Sequence, residues 1–297
     1  MKIATLGPTH PFRGGIARFT TQLVSHLRQR HQVLFFAFRR QYPRLFFPGS
    51  TQPDPSRSTL QEEAVASVDG LNPLSWINSA RRVVALAPDL LLLQWWTPFW
   101  LVLYAVLARR ARAAHIPVVT IAHQFVEPDS SFLEWFVTRR ALRLTDGVVV
   151  MTEEDVGMAR RVLPGKSVRL GPMPALHVPE GERISRAEAR ARLGVDPSVP
   201  LLLFFGFVRR YKGLKHLLDA LARVPDIQLL VAGEVWESED AYRTQIRRLE
   251  LGDRVTLVNR YIRTEEVALY FGAADALVLP YVSSSQSAVG STALAFG

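Results

Sequence analysis

Three short stretches combine glycine, histidine or cations in patterns that suit an anionic ligand. The first is Pro11-Phe12-Arg13-Gly14-Gly15-Ile16-Ala17-Arg18-Phe19. Paired glycines let backbone N–H groups approach an oxyanion where a helix begins, and the helix dipole favours negative charge there. The stretch matches neither G-x-G-x-x-G nor the P-loop Gly-Lys-Ser/Thr, so a tight strand–helix turn is the competing reading. The second is His123, which closes the apolar run Val118-Val119-Thr120-Ile121-Ala122, with Glu127 four positions on. A histidine at the carboxyl end of a strand can hydrogen-bond a ligand or serve as an acid or base near neutral pH. A loop histidine bonded to backbone is the plainer alternative.

The third and strongest is Phe204-Phe205-Gly206-Phe207-Val208-Arg209-Arg210-Tyr211-Lys212-Gly213-Leu214. It reads as a buried strand, a short basic loop and a glycine that opens a helix. Cations beside a helix N-terminus suit a diphosphate. A charge run is usually solvated surface, but this one falls where an α/β sheet takes its ligands. A small, polar run, Ser283-Ser284-Ser285-Gln286-Ser287-Ala288-Val289, follows Leu279-Pro280-Tyr281. Between a strand and a helix it exposes backbone donors and can hold the same phosphates from the other side. There is no Asp-x-Asp, no HExxH and no Gly-x-Ser-x-Gly, so neither a metal–diphosphate site nor a nucleophile elbow is implied.

Short apolar runs alternating with helical patterns must position these residues. Candidate strands are 2–6, 32–38, 89–94, 117–122 and 147–151, with helices starting near Ala17, Pro73, Pro98, Ser131 and Glu153. Residues 39–58, with four prolines, read as a long loop. Gly171-Pro172-Met173-Pro174 opens linker punctuation, and Ser185-x-x-Glu188 is a capping box that starts a new helix. Alternation then resumes with strands 200–206, 227–233, 254–258 and 275–279, and helices 213–222, 240–251 and 264–272. All-apolar strands between helices mean parallel sheets covered on both faces. The expected organisation is residues 1–172 as one Rossmann-like domain, 173–184 as a linker and 185–297 as a second. The series stops at Gly297 directly after a helical pattern, so the second domain is expected to be truncated. Two doubly wound domains make the cleft between them the default site.

Leu90 to Ala108 imitates a membrane span, but Gln94, Thr97 and Pro98 interrupt it. Thr97 as N-cap and Pro98 in the first turn split it into a buried strand and an apolar helix. That helix, followed by Arg109, Arg110 and Arg112, is apolar enough to touch a membrane surface. The N-terminus is too short in apolar length for a signal peptide. The chain of 297 residues has 36 Lys and Arg against 27 Asp and Glu, a net charge of +9. Such a balance favours a nucleic acid, an anionic lipid surface or a phosphorylated ligand. The absence of cysteine excludes disulfides, a thiol nucleophile and thiolate metal sites. No helix-turn-helix or RNP pattern supports nucleic acid.

Together the two-domain layout, Gly14-Gly15, His123, the Arg209/Lys212-Gly213 loop and the stretch from Tyr281 to Gly297 resemble glycosyltransferase family 4. The resemblance covers essentially the whole chain and is most specific from Val255 to Gly297, with Ala273-Ala274-Asp275 and Leu279-Pro280-Tyr281. It implies an α/β GT-B fold: two doubly wound Rossmann-like domains facing a cleft, here with the second incomplete. It also implies a retaining, metal-independent transferase with no cofactor, taking a UDP- or GDP-linked sugar to a lipid-linked or glycan acceptor. By this likeness His123, Arg209 and Lys212 are catalytic. Arg209, Lys212, Gly213, Tyr261, Ile262, Gln286, Ser287, Ala288 and Thr292 bind the donor nucleotide and its diphosphate. Gly14, Gly15 and Arg18 form an acceptor or phosphate loop. Phe207 stands where the family usually has an arginine, and Ser284 and Thr292 where it commonly has glutamates. The Gln286-Ser287-Ala288-Val289 run resembles a variant that keeps the phosphate cradle and lacks a carboxylate on the donor ribose. A cytoplasmic protein, peripheral on the inner face of the cell membrane, is expected. The alternatives are a nucleotide-sugar epimerase of the same fold and an inactive truncated remnant.

Overall fold

In the computed structural model, the structure describes residues 1–42, 53–57, 60–123, 125, 132–175, 184–282 and 287–296. They form two compact units. One is built from the chain up to Met173, and the other from Pro174 onward together with residues 55–57.

The first unit runs β1 (Lys2–Gly7), α1 (Gly15–Arg28), β2 (Gln32–Arg40), β3 (Val65–Asp69), α2 (Pro73–Ala85), β4 (Leu90–Trp95), α3 (Leu101–Ala113), β5 (Val118–Ala122), α4 (Phe132–Arg143), β6 (Gly147–Val150), α5 (Glu153–Val162) and β7 (Ser167–Leu170). Its seven strands are all parallel, in the order β3-β2-β1-β4-β5-β6-β7. The central strands are near-continuous apolar runs because helices cover both faces. Leu91, Leu93, Trp95, Trp100 and Leu103 are fully buried in the main core. The expected split of the long apolar segment is present. Thr97 Oγ1 accepts from Phe99 N–H at 3.5 Å, and Pro98–Trp100 form a 3-10 turn that leads into α3. Among the described residues no helix is long and apolar enough to cross a membrane. The expected helix start at Ser131 falls outside the described residues, and α4 is described from Phe132.

The second unit runs α6 (Arg186–Leu193), β8 (Leu201–Phe205), α7 (Leu214–Leu221), β9 (Gln228–Ala232), α8 (Glu239–Arg248), β10 (Val255–Val258), α9 (Val267–Ala273), β11 (Ala276–Leu277) and α10 (Ala288–Phe296). Four parallel strands lie in the order β10-β9-β8-β11. Ser185 caps α6 through Glu188 N–H, as the capping box predicts. Of the strand expected over 275–279, only Ala276 and Leu277 pair with β8.

Both sheets reverse direction of growth at one place: between β1 and β4 in the first, and between β8 and β11 in the second. In doubly wound sheets the crevice beyond such a switch point is where ligands bind.

Candidate functional site

The loops that leave β8 and β11 flank the switch point of the second sheet. Phe205 ends β8, Gly206 turns with φ +91°, and Arg210–Lys212 form a 3-10 turn before Gly213. Gly213 also has φ +75°, and a Cβ there would lie 1.9 Å from the Pro280 carbonyl oxygen. Only glycine lets the two loops close this far. The result drives Lys212 inward. Its residue is 8% exposed, its Nζ sits 5.7 Å from the Tyr281 ring centroid, and a Cβ on Gly206 would meet that Nζ at 3.1 Å. No carboxylate pairs with it among the described residues. Burial, assisted by Arg209, pulls its pKa down to about 8. A buried cation without a counter-charge is unfavourable unless an anion arrives to complete it.

Arg209 stays exposed, with its guanidinium over the rings of Tyr211 at 5.4 Å and Trp236 at 5.3 Å. From the β11 side, the Tyr281 hydroxyl shares a hydrogen bond with Ser287 Oγ at 3.1 Å, and that oxygen accepts from Gly290 N–H at 3.2 Å. Ser287 thus caps α10, whose first-turn residue Val289 approaches Gly206. Lys212, Gly213, Ser287 and the start of α10 with Ala288 therefore gather at one place. Thr292 is buried and donates to the Ala288 carbonyl at 2.8 Å, so its hydroxyl serves its own helix. Gln286, with residues 283–285, lies outside the described residues.

Aromatic side chains follow the carboxyl ends of the other strands. Phe207, after β8, lies 4.4 Å from Trp236, after β9, and 6.0 Å from Tyr261, after β10, between ring centroids. Ile262 is buried in the apolar core beneath. Arg260 of the same turn is committed to Glu266 through two hydrogen bonds, at 2.8 and 2.6 Å. Arg260 first, then Arg263, holds the Glu266 carboxyl down at about 2.

In the first unit, Gly14 has φ +116° and stands at the N-cap of α1 with no capping side-chain hydrogen bond among the described residues, a geometry in which a helix start can receive an anion. Gly15 has open space around its Cβ position, and Arg18 lies 3.7 Å from Asp54. His123 is buried at the end of β5, with its ring edge-on to Phe19 at 4.6 Å. Nε2 meets Gln94 Oε1 at 2.8 Å, which makes Nε2 the protonated nitrogen and Nδ1 an acceptor. Burial pulls the His123 pKa to about 3. The ring is therefore neutral near pH 7, and of the two expected roles the environment supports hydrogen bonding over proton transfer. Glu127 lies outside the described residues.

Gln94 was read only as an interruption of an apolar run. It is fully buried at the end of β4, and its amide nitrogen has no hydrogen-bond partner among the described residues. A polar residue inside an otherwise apolar strand was the signal. Trp236 carried none, because its place depends on β9 ending beside β8. Among the described residues no group of three His, Asp or Glu side chains could hold a metal ion.

Residues 13–170 match the family model described as Glycosyltransferase Family 4, and residues 185–295 match that of Glycosyl transferases group 1. A D-inositol 3-phosphate glycosyltransferase of Mycobacterium sp. (strain KMS) is 38% identical over 116 residues, which are 38% of this chain and 26% of that protein. The chain thus spans about a quarter of the length of the curated relatives it matches. A solved sucrose-phosphate synthase from Thermosynechococcus elongatus superimposes with a TM-score of 0.71 at 19% identity, over 99% of this chain and 79% of that one. The Anabaena protein HepE in complex with UDP gives 0.67 at 18%, over 95% and 74%. At those identities the likeness is one of fold, two doubly wound units of the GT-B type.

Proposed function

The chain belongs to glycosyltransferase family 4, and from that premise we propose that it moves a sugar from a nucleotide diphosphate to an acceptor hydroxyl with retention of configuration. The observation that carries this reading is Lys212, a buried amine at the switch point of the second sheet with no carboxylate beside it among the described residues. A diphosphate supplies the missing counter-charge. Lys212 and Arg209 hold the phosphates, and the α10 N-terminus capped by Ser287 adds backbone donors. The relative crystallised with UDP fits the same chemistry.

In the reaction the bond between the anomeric carbon and the diphosphate oxygen breaks, and its electron pair leaves with the nucleotide. The acceptor oxygen bonds to the same face of that carbon, and its proton passes to the departing phosphate oxygen. Preorganised cations stabilise the charge that develops there, so no protein carboxylate need act as nucleophile. Neutral His123, oriented by Gln94, accepts a hydrogen bond from a sugar hydroxyl through Nδ1. Gly14, Gly15 and Arg18 face the acceptor or its phosphate. A lipid-linked or glycan acceptor, with peripheral contact on an anionic membrane from the cytoplasmic side, completes the reading.

The test is transfer or donor hydrolysis screened across UDP-, GDP- and dTDP-sugars. Lys212→Ala should lower kcat/KM by about 100-fold or more, as for loss of one donor to a developing oxyanion. Absence of binding by every nucleotide sugar would sink the transferase reading. Unchanged binding in Lys212→Ala would move the phosphate site elsewhere.

A further inference from the structure

Helices α2, α3 and α4 pack side by side on the first sheet. Each follows a strand, so each begins at the carboxyl edge of the sheet, where the ligand crevice lies. Their outward faces share one layout. At or beside their N-terminal ends, large apolar side chains stand in solvent: Leu74 is 68% exposed, Phe99 50%, Val102 58%, Phe132 80%, Leu133 68% and Phe136 48%. Two turns or so further along the same faces come Arg81 and Arg82, Arg109 and Arg110, and Arg140 and Arg143, all exposed. None of these six has an acidic partner among the described residues. The spacing along each helix, from seven residues in α2 and α3 to eleven in α4, is about 10–16 Å.

Arginine in a last helical turn is ordinary, because it complements the dipole. Exposed phenylalanine and leucine at three adjacent helix starts are not ordinary, and core packing does not account for them. Of the tryptophans of this region, Trp95 and Trp100 are fully buried, while Trp76, Trp96 and Trp135 are half-buried. The three helices together hold eight arginines and a single acidic residue, Glu134. Across the chain, residues 1–173 have 21 Lys and Arg against 12 Asp and Glu, whereas residues 174–297 have fifteen of each. The whole excess of nine positive charges is in the first part.

We propose that the outward face of α2, α3 and α4 is a membrane-docking surface for anionic lipid, its apolar helix starts entering the acyl boundary and its arginines lying among phosphate headgroups. An apolar strip beside a basic band is the pattern of an interfacial element, here spread over three helices. The apolar end coincides with the carboxyl edge of the sheet, so docking brings the ligand crevice to the lipid surface. This rests on the reading of the acceptor as lipid-linked and names the surface that would reach it.

The full chain would be incubated with phosphatidylcholine vesicles, with or without about 30 mol% phosphatidylglycerol, and sedimented. Binding should require the anionic lipid and fall steeply between about 0.1 M and about 1 M salt. Phe132→Ser and Phe136→Ser should each weaken partitioning about tenfold, and Arg140→Glu with Arg143→Glu about fivefold or more per residue. Val224→Ser, an exposed apolar site in the second unit, should change nothing. Donor hydrolysis, measured in parallel, should survive all of these variants. No vesicle binding, binding indifferent to charge, or binding unchanged in the phenylalanine variants would overturn the docking surface. So would a dimer that dissociates on Phe136→Ser, since the strip would then belong to a second copy. Any of these with donor hydrolysis intact leaves the transferase reading standing.

Discussion

Lys212 is the centre of the proposed chemistry because two glycines let the backbone fold around it and, among the described residues, no carboxylate follows it inside. With its free pKa near 8, the amine is charged at pH 7 and loses its proton as the pH climbs past about 8. A bound diphosphate favours the charged form and raises that pKa again. Donor binding should therefore take up close to no proton at about pH 6.5 and approach one proton above about pH 8.5, with affinity falling over that upper range. Calorimetry in buffers of different ionisation enthalpy measures this number directly. Lys212→Ala should abolish the uptake; uptake persisting in that variant would assign the titration to another group. Lys212 was legible in the sequence because a basic loop between an apolar run and a helix-opening glycine needs only local pattern. Gln94 was not, since its meaning comes from His123, 29 positions away on the next strand. Nor does local pattern reveal that burial keeps His123 neutral.

The strands and helices were read largely from apolar runs, and the misses have a common cause. Neither β3 nor β7 was expected, and these are the two edges of the seven-stranded sheet. Their sequences, Val-Ala-Ser-Val-Asp and Ser-Val-Arg-Leu, are half exposed and lack the uniform apolar character of central strands. β11, an edge of the smaller sheet, is shorter than its apolar pattern suggested for the same reason. Turns were read better, because glycine marks them. Gly194 and Gly213 have similar positive φ angles, +66° and +75°, in the same unit. Around Gly194 there is open space, while Gly213 abuts the Pro280 carbonyl. Gly194→Ala should cost about 1 kcal/mol, the left-handed penalty alone. Gly213→Ala should cost at least about twice that, because the two loops must also separate. Denaturant unfolding of the two variants gives the comparison, and equal losses would mean that the contact between those loops is not tight in solution.

At the scale of the whole chain, the two proposals divide the charge that first suggested an acidic partner into two separate uses. The proposed phosphate site draws on a few groups, Lys212, Arg209 and a helix N-terminus, in a stretch whose charges balance. The surplus of nine lies entirely in residues 1–173 and is densest on α2, α3 and α4. These two kinds of positive charge answer differently to salt. Exposed arginines attract a charged surface through water, and that attraction collapses as the screening length shrinks from about 10 Å at 0.1 M to about 3 Å at 1 M. A buried amine in contact with a phosphate is screened far less. Over that range nucleotide affinity, followed by calorimetry, should change by only about threefold, whereas vesicle partitioning should fall by about two orders of magnitude. Parallel losses would show one electrostatic mechanism serving both and would contradict the buried site at Lys212. A salt-resistant vesicle interaction would instead overturn the docking surface as proposed, because burial of apolar area does not weaken with added salt and the arginines would then carry none of the binding.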